Sequence, residues 1–98
     1  MTQAARDRHA FRLDVHGAFL RHTDISNANL EGANLSGADF TNASFRGSNF
    51  KNANLTGTIL RGADLTGATN LTEDRIKTAA IDDRTRPPDA LGAGMPAK

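Results

Sequence analysis

The 98-residue sequence contains no cysteine, no tryptophan and no tyrosine, and only three prolines. Without cysteine it has neither a disulfide framework nor a thiol site. It lacks any apolar stretch long enough to span a membrane or to serve as a signal peptide, so membrane insertion is not expected and a cytoplasmic location is. Neither sign of charge dominates: 12 Lys and Arg stand against 11 Asp and Glu, a formal net charge of +1. With no basic stripe and no exposed aromatic series, that balance lacks the electrostatic footprint of direct nucleic-acid binding. Length allows one small domain.

What the sequence does have is a period of five. From Leu13 to Gly67 eleven consecutive units keep one order of small or apolar, polar, large apolar, polar and turn-forming residue. The clearest copies are Ala28-Asn29-Leu30-Glu31-Gly32, Ala33-Asn34-Leu35-Ser36-Gly37, Ala53-Asn54-Leu55-Thr56-Gly57 and Ala63-Asp64-Leu65-Thr66-Gly67. Five fits neither the roughly 3.6-residue period of a helix nor the period of about two of a strand. It fits a chain that turns a corner at every unit and stacks coil upon coil, since one unit cannot bury its apolar side chain alone.

This frame resembles the pentapeptide-repeat family, whose pattern is Ala-Asp/Asn-Leu-x-x. The resemblance implies an all-β fold, a right-handed quadrilateral β-helix with one unit per side and four per coil. On that geometry residues twenty apart stack. The large apolar position then forms four interior columns, Val15/Leu35/Leu55, Leu20/Phe40/Leu60, Ile25/Phe45/Leu65 and Leu30/Phe50, with no polar member. Small residues, mostly alanine, line the rest of a narrow, closely packed bore. Gly17, Gly37 and Gly57 and their equivalents, with Asn27, Asn42 and Asn52, supply the corners, where positive φ is expected. The outward Asp and Asn are expected to bond local backbone there. Eleven units give just under three coils, a stub of about 13 Å at the usual spacing of paired strands.

Domain boundaries follow from where the frame stops. Residues 13–68 are the solenoid, and residues 1–12 form an N-terminal cap segment in which Phe11 is expected to cover the first coil. Residues 69–81 read as a C-terminal capping helix, with Thr72 as N-cap, Glu73 and Asp74 in the first turn, helix to Ala80 and Ile81 as a last anchor. Residues 82–98, with Pro87-Pro88 and a Gly/Ala-rich run, read as an extended or disordered tail.

No enzyme is expected. His9, His16 and His22 are the only histidines, and His22 near Asp24 reads as an exposed side chain beside an exposed carboxylate. There is no ligand spacing for a metal, no cofactor is implied, and a bore filled by its own side chains leaves no pocket. One departure from the frame points to a surface. Where the pattern asks for Asp or Asn, the sequence has Phe19 and Ile59, forty residues apart and therefore on one side of the solenoid with Asp39 between them. Arg21 and Arg61 occupy the adjacent outward column and His22 the corner. An apolar pair with an arginine rim has the anatomy of a small protein-interaction face, unless the chain's own termini fold over it. The expected function is therefore a non-catalytic interaction or scaffold module in a bacterium, with an unknown protein partner or self-association as a homodimer. The alternative implied by the family is a DNA-mimicking modulator of DNA gyrase or topoisomerase acting as a dimer. It requires an acidic rod, whereas Arg21, Arg46, Lys51 and Arg61 here balance Asp24, Glu31, Asp39 and Asp64.

Overall fold

The computed structural model describes residues 12–88. Within them single residues twenty apart pair in parallel across neighbouring coils. Asp14, Asn34 and Asn54 stack on a first face, Phe19, Asp39 and Ile59 on a second, Asp24, Ser44 and Asp64 on a third, and Asn29, Asn49 and Thr69 on a fourth. Each step uses both backbone groups of the paired residue. Asn34 N–H donates to the Leu13 carbonyl at 2.7 Å, and its carbonyl accepts from Val15 N–H at 3.0 Å. A face is one paired residue wide because the following residues turn the corner, which leaves no room for strands of ordinary length.

The corners are made as the residue types demand. Asn27, Asn42 and Asn52 adopt φ of 56°, 59° and 58°, and His22 does the same at 60°. Two glycines are required by their neighbours as well as by φ. A Cβ on Gly47 or Gly62 would land on Oδ1 of Asn27 or Asn42, one coil below. Nothing lies within 4 Å of the equivalent point on Gly17. The outward carboxylates and amides close the corners as local acceptors: Asp24, Asn29, Asn34, Asp39, Asn49, Asn54 and Asp64 each take the N–H two residues on. This is the side chain to backbone bond that makes Asn and Asp good turn residues.

Inside, Leu35, Phe45, Phe50, Leu60 and Leu65 are fully buried and Phe40 is 1% exposed. The Phe40 and Phe45 rings meet edge to face at 4.8 Å between centroids, and Phe45 and Phe50 at 5.3 Å, within the range aromatic pairs prefer. The two fully buried polar residues at small interior positions are satisfied. The hydroxyl of Thr58 donates to the Leu35 carbonyl at 2.6 Å and that of Ser48 to the Ile25 carbonyl, so neither carries the penalty of an unpaired buried group.

The C-terminal end differs from the sequence expectation. The frame is left at Asn70, whose φ of 60° places a corner out of step. Helix α1 follows over Glu73–Ile76, with the Thr72 hydroxyl accepting from Arg75 N–H and Ile76 fully buried. It stops well short of Ala80, because Ala80 returns to the ladder. Ala80 N–H donates to the Thr58 carbonyl and its own carbonyl accepts from Leu60 N–H, both at 2.7 Å. Residues 82–88, expected to start a tail, are docked as well: Arg86 pairs with Asp64, the Thr85 hydroxyl donates to the Leu60 carbonyl and Pro88 is fully buried. The acidic turn that reads as a break is a corner, with Asp82 Oδ1 accepting from Gly62 N–H at 3.0 Å. The expected cap over residues 1–12, all of it but Arg12 and including Phe11, and the tail beyond Pro88 lie outside the described residues.

Candidate functional site

The second face carries the two departures from the frame. Its column runs Phe19, Asp39, Ile59 and Ala80. The residues at its lower end differ sharply in environment. Phe19 is 86% exposed, whereas the Asp39 side chain is only 6% exposed. Arg21 Nε donates to Asp39 Oδ2 at 2.7 Å, and Asp39 Oδ1 accepts from the Thr41 N–H and hydroxyl at 3.0 and 2.6 Å. Those bonds, the Thr41 hydroxyl first and the Arg21 guanidinium second, hold the Asp39 carboxyl down at about 2. Hydrogen bonds to the charged form have that effect.

Ile59 is half-buried rather than open, with Asp39 below and Ala80 above. Of the expected apolar pair only Phe19 presents its side chain fully. The two arginines also separate: Arg21 is committed to Asp39, while Arg61 is exposed and has no acid within ion-pair distance among the described residues. His22 is exposed at its corner.

The substitutions at 19 and 59 have a local consequence. At these two corners the N–H groups of Arg21 and Arg61 have no side-chain acceptor among the described residues, because phenylalanine and isoleucine offer none. A turn bond made elsewhere around the coil is given up twice on the same face. The sequence signal for this was the break in the Asp/Asn column itself.

The histidine chemistry is rearranged too. His22 makes no hydrogen bond to Asp24 among the described residues, and Asp24 instead caps Ser26 N–H at 3.0 Å. His16 Nδ1 lies 2.6 Å from Asp14 Oδ1, an exposed pair that sequence reasoning missed. That hydrogen bond is the main reason the Asp14 carboxyl titrates below its ordinary range. Among the described residues no three metal-ligating side chains come together, and no helix is long and apolar enough to cross a membrane. Two shallow cavities are lined by described residues. One of about 430 Å³ lies between the Ala53–Thr56 edge and α1, and one of about 570 Å³ lies at the corner of Asn42, Gly62 and Arg84.

Pentapeptide repeats match the chain in eight copies, over residues 13–42 and 33–69. The chain belongs to the pentapeptide-repeat family. It is similar to the crystal structure of Rfr23, a pentapeptide repeat protein from the cyanobacterium Cyanothece 51142, at 31% identity and a TM-score of 0.68, over 78% of this chain and 51% of that one. The pentapeptide-repeat chain thus spans about half the length of that relative. A pentapeptide repeat protein from Nostoc Pcc 7120 is 27% identical over 100% of this chain and 95% of its own, with a TM-score of 0.37. No curated protein matches. The ladder, the family match and the likeness to Rfr23 together make the fold a right-handed β-helix solenoid.

Proposed function

We propose that this pentapeptide-repeat chain is a non-catalytic protein-interaction module whose contact surface is the second face, centred on Phe19 and flanked by Arg21, His22, Asp39 and Arg61, with Ile59 as a half-buried floor. The observation that carries the reading is Phe19, 86% exposed at a position where an Asn or Asp oxygen would otherwise close the corner. A large aromatic side chain in water, gained at the loss of a turn bond, is what an anchor residue of an interface looks like before its partner arrives. The Arg21–Asp39 pair supports a fixed polar rim beside it. As part of the same proposal, the solenoid works as just under three coils plugged at the C-terminal end by α1, a role that the full burial of Ile76 supports. A bacterial, cytoplasmic setting belongs to it too, the cyanobacterial relative supporting its first half.

Gyrase mimicry is less well supported. Asp39 and Asp64, which would have to imitate duplex phosphates, are bonded to Arg21 and Arg46, and a surface of paired charges is a poor image of a polyanion. The deciding experiment compares wild type with Phe19→Asp as bait in bacterial extract, together with sedimentation of each protein alone and a supercoiling assay. A protein or a second copy held by wild type and lost by the variant supports the reading. Identical captures and identical oligomeric state would remove it, and inhibition of supercoiling would favour the mimic.

A further inference from the structure

The outward charge of the coils is divided unevenly among the four sides. An exposed carboxylate stands on the first, third and fourth, at Asp14, Asp24 and Glu31. Across residues 18–22, 38–42 and 58–62, which make the second side, the one acid is Asp39, and it is buried. The charges that this side turns to solvent are Arg21 and Arg61. Arg21 is held rather than covered: its Nε donates to Asp39 at 2.7 Å while its side chain stays 62% exposed. A guanidinium has further donors on the same rigid fork, and these remain for a partner in a position that Asp39 fixes. Arg61, two coils up the same column, meets no acid within ion-pair distance among the described residues. Two ladder steps of about 4.8 Å place the two columns' ends about 10 Å apart.

The same sign continues round the corner at Gly62. Arg84 and Arg86 line the cavity of about 570 Å³ there, and both are exposed. Arg84 approaches Asp82 only to 3.7 Å, and Arg86 has no acid within ion-pair distance among the described residues. Asp82 Oδ1 is already taken by the N–H groups of Gly62, Arg84 and Thr85, which leaves Asp83 as the exposed acid of this corner. The chemistry that complements the surface is therefore anionic, with an apolar part for Phe19. A second copy of the chain would bring the same arginines against these in a two-fold contact, and like charges face to face oppose association. A nucleic acid is a poorer fit than a protein, because two outward cations release few counterions and a single ring is not the aromatic series on which bases stack.

We propose, resting on the reading of this face as the contact surface, that its partner is a protein segment bearing acidic side chains beside an apolar one, the acids meeting Arg21 and Arg61 and the apolar side chain meeting Phe19. In an extended segment, side chains on one edge recur at about 7 Å, so carboxylates two and four residues apart bracket the arginine spacing. The test is a nuclear magnetic resonance titration of the full chain at low ionic strength with millimolar acetyl-Glu-Glu-Leu-Glu-Glu-amide, its counterpart with glutamine for every glutamate, and single-stranded oligothymidylate. Wild type, Arg61→Glu and Phe19→Asn are compared, with melting temperatures to show that each is folded. The acidic peptide should shift the Phe19, Arg21 and Arg61 amides, bind Arg61→Glu about tenfold more weakly and lose its effect in about 0.5 M salt. The glutamine peptide should bind wild type at least about tenfold more weakly than the acidic one. Unchanged affinity in Arg61→Glu, tighter binding of the oligothymidylate, or no shift with any probe would overturn the inference. Two peptides that bind alike and are both lost in Phe19→Asn would overturn it while leaving the face as a contact surface. Acid-dependent binding indifferent to Phe19→Asn would remove the reading of the face as well.

Discussion

The first and second coils follow the same five-residue order, yet their core residues occupy different environments. Val15, Leu20 and Ile25 are half-buried and Leu13 is 44% exposed, whereas Leu35, Phe40 and Phe45 are at most 1% exposed and Ala33 likewise. The central side chain of a unit is covered by the coil below as much as by its own, and the second coil has a coil on each side. Burial in a solenoid belongs to the stack rather than to the unit. The second coil is also the aromatic one, with three phenylalanines in contact.

The sharpest way to break this comparison is to hollow each coil in turn. Phe45→Ala should cost about 3–5 kcal/mol, because the vacated volume is enclosed on every side. Leu20→Ala in the first coil should cost about 1–2 kcal/mol, in keeping with partial burial. Urea denaturation of both variants checks this, and equal losses would show that the first coil is as closed as the second.

Corners give a second contrast. Gly62→Ala should cost about 2–3 kcal/mol, as it combines positive φ with displacement of the Asn42 amide, and Gly17→Ala about 1–2 kcal/mol from backbone strain alone. Melting temperatures of the pair would test whether the stacking of glycine over asparagine sets the register of the coils.

Acid separates the coils more gently. The Asp39 carboxyl is held at about 2 in the folded chain against an ordinary 3.8. A depressed folded value contributes stability that is present above the ordinary value and lost as pH falls through the folded one. Stability should therefore decline as pH drops from about 4 to about 2, and Asp39→Asn should lose that part of the decline. Urea midpoints across this window read the difference directly, and unchanged pH dependence in Asp39→Asn would show that the Thr41 and Arg21 bonds do not hold the carboxyl down. The smallest effect on stability is expected for Phe19→Asp, within about 0.5 kcal/mol of wild type. A larger loss would mean that the ring is part of the fold rather than of an interface.

Much of the fold was legible in the residues. The frame named every fully buried phenylalanine, the asparagine and glycine corners, and the Asp/Asn column that closes them. All of these are local rules, repeated often enough in eleven units to be unmistakable. The candidate face was legible only as a break in one column. That Phe19 stands open while Ile59 is half-covered follows from Ala80 rejoining the ladder after a helix of four residues. Sequence reasoning carried that helix from the Thr72 cap and its acidic first turn on to Ala80, and it released residues 82–88 as the start of a Pro-Pro and Gly/Ala-rich tail. Tertiary pairing overrode both preferences. Likewise Arg21 reads as a rim charge beside Phe19 until Asp39, eighteen residues away, is found to hold it.

By itself, then, the sequence determined the period, the sense of each side chain and the places where the chain turns, since each depends on a residue and its nearest neighbours. Only the tertiary structure decided how the repeat is left. Pairing of Ile59 with Ala80 and of Asp64 with Arg86 stretches the step from twenty residues to 21 and 22, the excess being taken up by α1 and the Asp82 turn. It alone decided which apolar side chain stays in water and, among the described residues, which arginine is held by an acid. These outcomes rest on hydrogen bonds between residues a whole coil apart, and those bonds outweigh local propensity once the neighbouring coil is in place.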